Sequence, residues 1–347
     1  MSAAPDTRSL MFRETAEAPA AVARLLAANA AACRALGARL RAKPPRFVVT
    51  GARGSSDSAA TYAKYLIEIA LGTVVASVGP SISSIYGARP RMGEALFLAV
   101  SQSGRSPDLV ALAETARQDG AFTVAMINEA DSPLAERCDL VLPLHAGPEK
   151  SVAATKSYIA SLAGILQLVA AWSGEAVLAR AVERLPDDLA AAVARDWTAP
   201  LPLLATSEHL YVAGRGPGFA AALEAAIKLK ETCGLHAEAQ SAAELMHGPM
   251  TLTGPHFPVL ILGQRDAALP GLVDLARTLV GRGVPVLAAG AVAGEGTIAL
   301  PSADDLHPFA EPIALVQSFY PLAEALAHRR GRDPDRPPHL KKVTETR

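Results

Sequence analysis

Residues 48–56, VVTGARGSS, decide the fold: an apolar run ends in a glycine-bearing turn, which opens onto two serines and then onto helical periodicity from about Asp57 to Leu71. Strand, tight turn and amphipathic helix in that order form the unit from which parallel sheets are wound. A second unit follows. Residues 94–100 (EALFLAV) read as a buried strand running into Ser101-Gln102-Ser103-Gly104, and Ser106-Pro107-Asp108 opens a helix that lasts to Gln118. Two further apolar strands, 122–127 and 140–144, flank a short helix from Pro133, and 155–172 has the pattern of a long closing helix. Upstream, 17–40 reads as a lead-in helix that Pro44-Pro45 ends. The alternation predicts an α/β fold with a doubly wound parallel sheet covered on both faces by helices.

The second half repeats the plan. Residues 210–213 form a strand, Gly214-Arg215-Gly216-Pro217-Gly218 its turn, and 219–233 the next helix, with later strands at 258–263 and 284–288. Aligning 48–55 (VVTGARGS) with 212–218 (VAGRGPG) predicts an internal duplication. A chain of 347 residues holds two such units of about 150 residues each. The boundaries expected are a lead-in at 1–24, a first unit at 25–180, a linker at 181–202, a second unit at 203–330 and a tail at 331–347. Pro186, Pro200 and Pro202 mark the linker, although 187–197 has a helical pattern of its own.

Composition narrows the function. The formal net charge is -1, so no broad positive field is available to hold a nucleic acid or an acidic membrane surface. The three cysteines, Cys33, Cys138 and Cys233, are far apart and odd in number, which fits buried thiols in a reducing compartment and no disulfide framework. The start of the chain lacks the basic-then-apolar pattern of a signal peptide, and a cytoplasmic location is expected. His236 and His247 are eleven residues apart, a spacing that fits no common metal motif, so no metal is expected.

The chemistry-bearing residues gather at two turns and one helix. Ser55 and Ser56 sit at one helix N-terminus, and Ser101, Ser103 and Ser106 at another, where hydroxyls and free backbone N–H groups suit a phosphate. A helix terminus alone contributes only about 0.3–1 kcal/mol to an anion, so several donors must act together. Taken singly, either loop reads equally well as a pair of helix caps. Neither is a Walker loop or a full dinucleotide fingerprint, which argues against nucleotide hydrolysis and NAD. Glu224, Lys228 and Glu231 recur at helical spacing and can share one face, whether as a catalytic set or as ordinary helix ion pairs.

These segments together resemble the sugar isomerase (SIS) family, particularly the isomerase half of glucosamine-6-phosphate synthase and, more closely, stand-alone SIS-type glucosamine-6-phosphate deaminases. The resemblance rests on Ser101-Gln102-Ser103-Gly104, on 152–156 (VAATK), on 223–231 (LEAAIKLKE), on 236–249 (HAEAQSAAELMHGP) and on the tail 333–346 (DPDRPPHLKKVTET). It implies two SIS domains with the tail lying over the active site. It also implies that Ser55, Ser56, Ser101, Gln102, Ser103, Ser106, Ala154 and Glu224 bind the sugar phosphate. Glu231 would move a proton between C1 and C2, helped by Lys228, and His247, reaching across a homodimer, would assist ring opening. Lys342 would be the amine that forms a Schiff base with the ketose, with Lys341 beside it as the alternative. Two departures stand out: Arg105-Ser106 follows the Ser-Gln-Ser-Gly, and the first loop reads Arg53-Gly54-Ser55-Ser56.

The resemblance implies an amino-sugar-phosphate substrate. Only about twenty residues, none of them cysteine, precede the SIS-like region, so glutamine is not expected as nitrogen donor. The reaction expected is therefore conversion of glucosamine 6-phosphate and water to fructose 6-phosphate and ammonia, with no metal or organic cofactor. Ammonia-dependent synthesis, a galactosamine-6-phosphate deaminase, a fructosamine-6-phosphate deglycase and a non-catalytic sugar-phosphate sensor are the alternatives.

Overall fold

A computed structural model describes residues 8–342. Helix α1 (Leu10–Ala42) begins earlier than its periodicity suggests, because Ser9 caps it: the Phe12 N–H donates to the Ser9 hydroxyl at 3.0 Å. The helix crosses the boundary expected at residue 24 without a break. The first unit then runs β1 (Val48–Gly51), α2 (Ser55–Leu71), β2 (Val75–Ser77), α3 (Ser81–Ser84), β3 (Leu96–Ser101), α4 (Pro107–Gln118), β4 (Phe122–Ile127), α5 (Pro133–Arg137), β5 (Leu140–Pro143) and α6 (Lys156–Ser173). Next come α7 (Ala176–Val193) and α8 (Leu201–Thr206). The stretch expected as a linker is thus largely helix, and Pro186 lies inside α7 rather than at its start.

The second unit repeats the plan with β6 (His209–Gly214), α9 (Pro217–Cys233), β7 (His236–Ser241), α10 (Ala242–Met246), β8 (Val259–Gly263), α11 (Leu269–Gly281), β9 (Val286–Gly290) and β10 (Ile298–Leu300). Helix α12 (Glu311–Arg329) closes it. The two five-stranded sheets are ordered β2-β1-β3-β4-β5 and β10-β9-β8-β6-β7, and every pairing is parallel. Counted from its own first strand, each sheet has the order 2-1-3-4-5. The duplication read from the two glycine turns is therefore a duplication of topology.

One apolar core joins the two units, running from Leu98 and Met126 through Tyr158 and Leu162 to Ala225, Leu260 and Phe319. Buried hydroxyls stitch it: Tyr62 donates to the Phe309 carbonyl at 2.6 Å and Tyr158 to that of Ala220 at 3.1 Å. Because the strands are parallel, the turns after β1 and β3 open at the same sheet edge, where ligands of open α/β sheets bind. Helix α9 packs against α2, which brings the second unit's charged face to that edge. Among the described residues no helix is long and apolar enough to cross a membrane.

Candidate active site

A cleft of about 590 Å³ lies at that edge. Its wall carries Ser55 and Ser56 from the first turn of α2, Ser101, Gln102, Ser103 and Ser106 from the loop after β3, and Val152 and Ala154 from the loop before α6. Lys228 and Glu231 of α9 complete it from the second unit, and Leu340, Lys341 and Lys342 of the tail close over it. Residues 343–347 of the expected tail lie outside the described residues.

The serine loops are shaped by the chain's own contacts. Ser101, at the end of β3, accepts the Gly104 N–H at 3.0 Å, which folds Ser101-Gln102-Ser103-Gly104 into a tight turn. Gly104 stands at φ 62°, a left-handed conformation that glycine adopts without steric cost. Ser106 occupies the N-cap position of α4, yet its side chain makes no capping bond, which leaves the hydroxyl free toward the cleft. Ser55 opens α2 after Gly54 and lines the same space, but the Ser56, Asp57 and Ser58 N–H groups of that first turn donate to the Arg53 and Gly54 carbonyls, so the free helix-terminus donors expected there are largely taken up by the turn itself.

Lys228 is the centre of the charged face. Its Nζ lies 2.6 Å from Glu231 Oε2, 3.4 Å from Glu224 Oε1 and 3.1 Å from Ser55 Oγ. Lys228 is 1% exposed and Glu224 0%, while the Glu231 side chain is 29% exposed to the cleft. Glu224 is therefore placed behind Lys228 and does not line the cleft wall. Tyr320 donates to its Oε1 at 2.9 Å, and its Oε2 is buried without a partner. Burial pushes the Glu224 carboxyl up to about 7, with the nearby Glu231 charge adding to the rise and Lys228 opposing it. For Lys228, burial works against the charge, but Glu224 and Glu231 outweigh it and hold the ammonium above its ordinary range.

Lys342, the last described residue of the tail, reaches the cleft, where its Nζ donates to the Ser151 carbonyl at 2.7 Å and lies 3.4 Å from Glu149 Oε2. Lys341 also lines the cleft. His247 is elsewhere: it follows α10, is exposed, and does not line this cleft.

Two residues that sequence reasoning passed over contribute here. Arg53 lines the cleft between the two serine loops, its Nε and Nη2 both donating to the buried carboxylate of Asp108. Its place in the glycine turn was visible in the sequence, but its partner, 55 residues on, was not. Glu149 is fully buried and accepts the N–H groups of Thr155 (2.9 Å) and Ser157 (3.1 Å) and the Ser157 hydroxyl (2.5 Å), which fixes the start of α6. Among the described residues, no group of three or more His, Cys, Asp or Glu side chains could hold a metal ion.

Comparison with known proteins agrees with this layout. The family model of the SIS domain matches residues 42–171 and 203–316. A crystal structure of a proposed phosphosugar isomerase from Silicibacter pomeroyi DSS-3 is 44% identical, superposes with a TM-score of 0.90, and covers 94% of this chain and 100% of that one. The glutamine–fructose-6-phosphate aminotransferase (isomerizing) of Pseudomonas aeruginosa is 32% identical across 96% of this chain. The chain spans 58% of that relative's length. A glucosamine-6-phosphate deaminase from Thermotoga maritima shares the fold at a TM-score of 0.76 and 20% identity, covering 97% of this chain and 100% of that one.

Proposed function

Because the chain belongs to the SIS domain family, we propose that it is a phosphosugar aldose–ketose isomerase that deaminates glucosamine 6-phosphate, giving fructose 6-phosphate and ammonia. The observation that carries this reading is the placing of the Glu231 carboxylate, paired with Lys228 at 2.6 Å, across a cleft from a ring of serine hydroxyls. The serine hydroxyls offer neutral donors for a phosphate dianion, and Arg53 adds a guanidinium between the two serine loops. A substrate anchored there lays its C1 and C2 toward α9.

In the open-chain amino aldose, Glu231 takes the proton from C2, exchanges it with solvent through its cleft-exposed carboxyl, and delivers a proton to C1, while a nitrogen proton is relayed to O1. The ammonium of Lys228 faces the oxygen on which negative charge develops between the two transfers. The product carries an imine at C2. Lys342 is the primary amine placed to displace ammonia from that carbon, and water then releases the ketose and regenerates the lysine. Sugar phosphate and water enter, and ketose phosphate and ammonia leave, so the atoms balance.

Hydrolysis of glutamine would need a reactive thiolate. Burial pushes the thiols of Cys33, Cys138 and Cys233 up to about 11, and none lines the cleft. His247 fits the same scheme if the protein is a homodimer in which each copy lends its exposed histidine to the other's cleft for ring opening. A monomeric and fully active enzyme would exclude that sharing.

The test is ammonia and fructose 6-phosphate release from glucosamine 6-phosphate by the purified chain, with galactosamine 6-phosphate run in parallel. Equal release of both products supports the assignment. Tight binding of both sugars without release would instead favour a sensor.

A further inference from the structure

The amine proposed to react at C2 sits on a tail, and tails are held only by what ties them down. Three hydrogen bonds from outside the tail converge on Asp335. Both carboxylate oxygens of Asp335 accept backbone N–H groups at the start of α1, from Leu10 and Met11, each at 2.7 Å. The Asp335 carbonyl accepts the Val152 N–H at 3.4 Å. From the next turn of α1, Glu14 reaches the same loop and accepts the N–H groups of Lys150 at 2.5 Å and Ser151 at 3.2 Å. The loop 149–152 is thereby clamped between the first helix and the tail, and it carries both groups that hold Lys342: the Ser151 carbonyl and the Glu149 carboxylate. Pro334 and Pro337, on either side of Asp335 and Arg336, are buried and stiffen the crossing.

The arrangement closes a circuit. Asp335 joins the tail to α1, Glu14 joins α1 to the loop, and the loop joins back to the tail at Lys342. A carboxylate at a helix N-terminus meets free donors and the positive end of the helix dipole together, so Asp335 is well placed to bind this end of α1. We propose that Asp335 and Glu14 are positioning residues for Lys342, and that docking of the tail onto the N-terminus of α1 fixes the amine in the cleft. The consequence for catalysis rests on the role given to Lys342 above, whereas the docking itself does not.

The experiment separates the two. Competitive acylation of the intact protein with acetic anhydride, read by mass spectrometry, reports how firmly each lysine amine is held. In Asp335→Asn and Glu14→Gln, labelling at Lys342 should rise at least fivefold, while Lys156, buried and paired with Glu17 at 2.6 Å, stays unreactive and shows that the fold is intact. Ammonia release should fall about 10- to 100-fold through kcat, with KM for the sugar phosphate changing less than about threefold. Asp335→Glu should recover part of the loss. Unchanged labelling of Lys342 in both folded variants would overturn the proposal, whatever happens to turnover. Increased labelling with no loss of kcat would leave the docking standing and remove Lys342 from the chemistry.

Discussion

Lys228 on α9 donates to Ser55 Oγ on α2 across 3.1 Å, joining residues 173 positions apart and binding the charged helix of the second unit to the phosphate turn of the first. The same ammonium is the counter-charge of Glu224, which is 0% exposed. Lys228→Met should therefore cost about 3–5 kcal/mol in a urea titration, because it leaves a buried carboxyl unpaired. Lys228→Met combined with Glu224→Gln should regain a large part of that loss, and neither variant should turn over substrate. Equal stability of the single and double variants would show that the pair is not coupled.

Ser106 separates the capping reading of the serines from the ligand reading. It stands at an N-cap position but makes no capping bond. Ser106→Ala should leave the unfolding midpoint nearly unchanged and weaken sugar-phosphate binding about 10- to 100-fold, the loss of about one hydrogen bond to a charged group. Calorimetric titration with fructose 6-phosphate checks the second figure. A loss of stability without a loss of affinity would return Ser106 to the role of a cap.

Gly104 allows the tight turn that presents Ser103. A Cβ there would collide with Ile127 Cδ1 and Ser132 Oγ, and the backbone sits at φ 62°. Gly104→Ala should destabilise the protein by about 1–3 kcal/mol and raise KM at least tenfold, measured by thermal melts and steady-state kinetics. Wild-type KM in a folded variant would mean that the turn does not shape the phosphate site.

Glu224 gives the protein a pH signature. Burial raises its carboxyl to about 7 from an ordinary 4.5, so between those values the native state binds a proton that the unfolded state has released. Stability from this group is full below pH 4.5 and declines as pH rises toward and through 7, by at most about 3 kcal/mol. The raised Lys228 keeps its charge throughout this window and does not reverse the trend. Glu224→Gln should flatten the stability difference between pH 5 and pH 8 in urea titrations; an unaltered slope would remove Glu224 as its source.

Much of this was legible in the sequence, for reasons of local chemistry. The central strands β1, β3, β4, β6, β8 and β9 are apolar runs between turn residues, and the serine turns and the Glu224, Lys228 and Glu231 spacing are contained within short windows. The strands that escaped are β2, β7 and β10, and each lies at an edge of its sheet. β2 (VAS) and β10 (IAL) are only three residues long, and β7 (HAEAQS) alternates with polar side chains, so none carries a run long enough to read as a strand. Helix α7 was misjudged because Pro186 reads as a breaker, while the apolar stripe Leu178, Val182, Leu185 and Leu189 packs well enough to carry the helix through it. The partners of Lys342 and Arg53 depend on contacts between distant segments, which no local pattern records. Glu224 shares its helix face with Glu231 but ends behind Lys228, because the packing of α9 against α12 covers one part of that face and not the other.

The central claim is that Glu231 carries a proton between C2 and C1, and proton exchange at C2 tests it most directly. With glucosamine 6-phosphate in D₂O, NMR should show the wild-type protein replacing the C2 proton with deuterium and placing solvent deuterium at C1 of the fructose 6-phosphate formed. Glu231→Gln should bind the sugar phosphate and do neither. Exchange at the wild-type rate in that variant would contradict the account, because the proton would then be moved by another group.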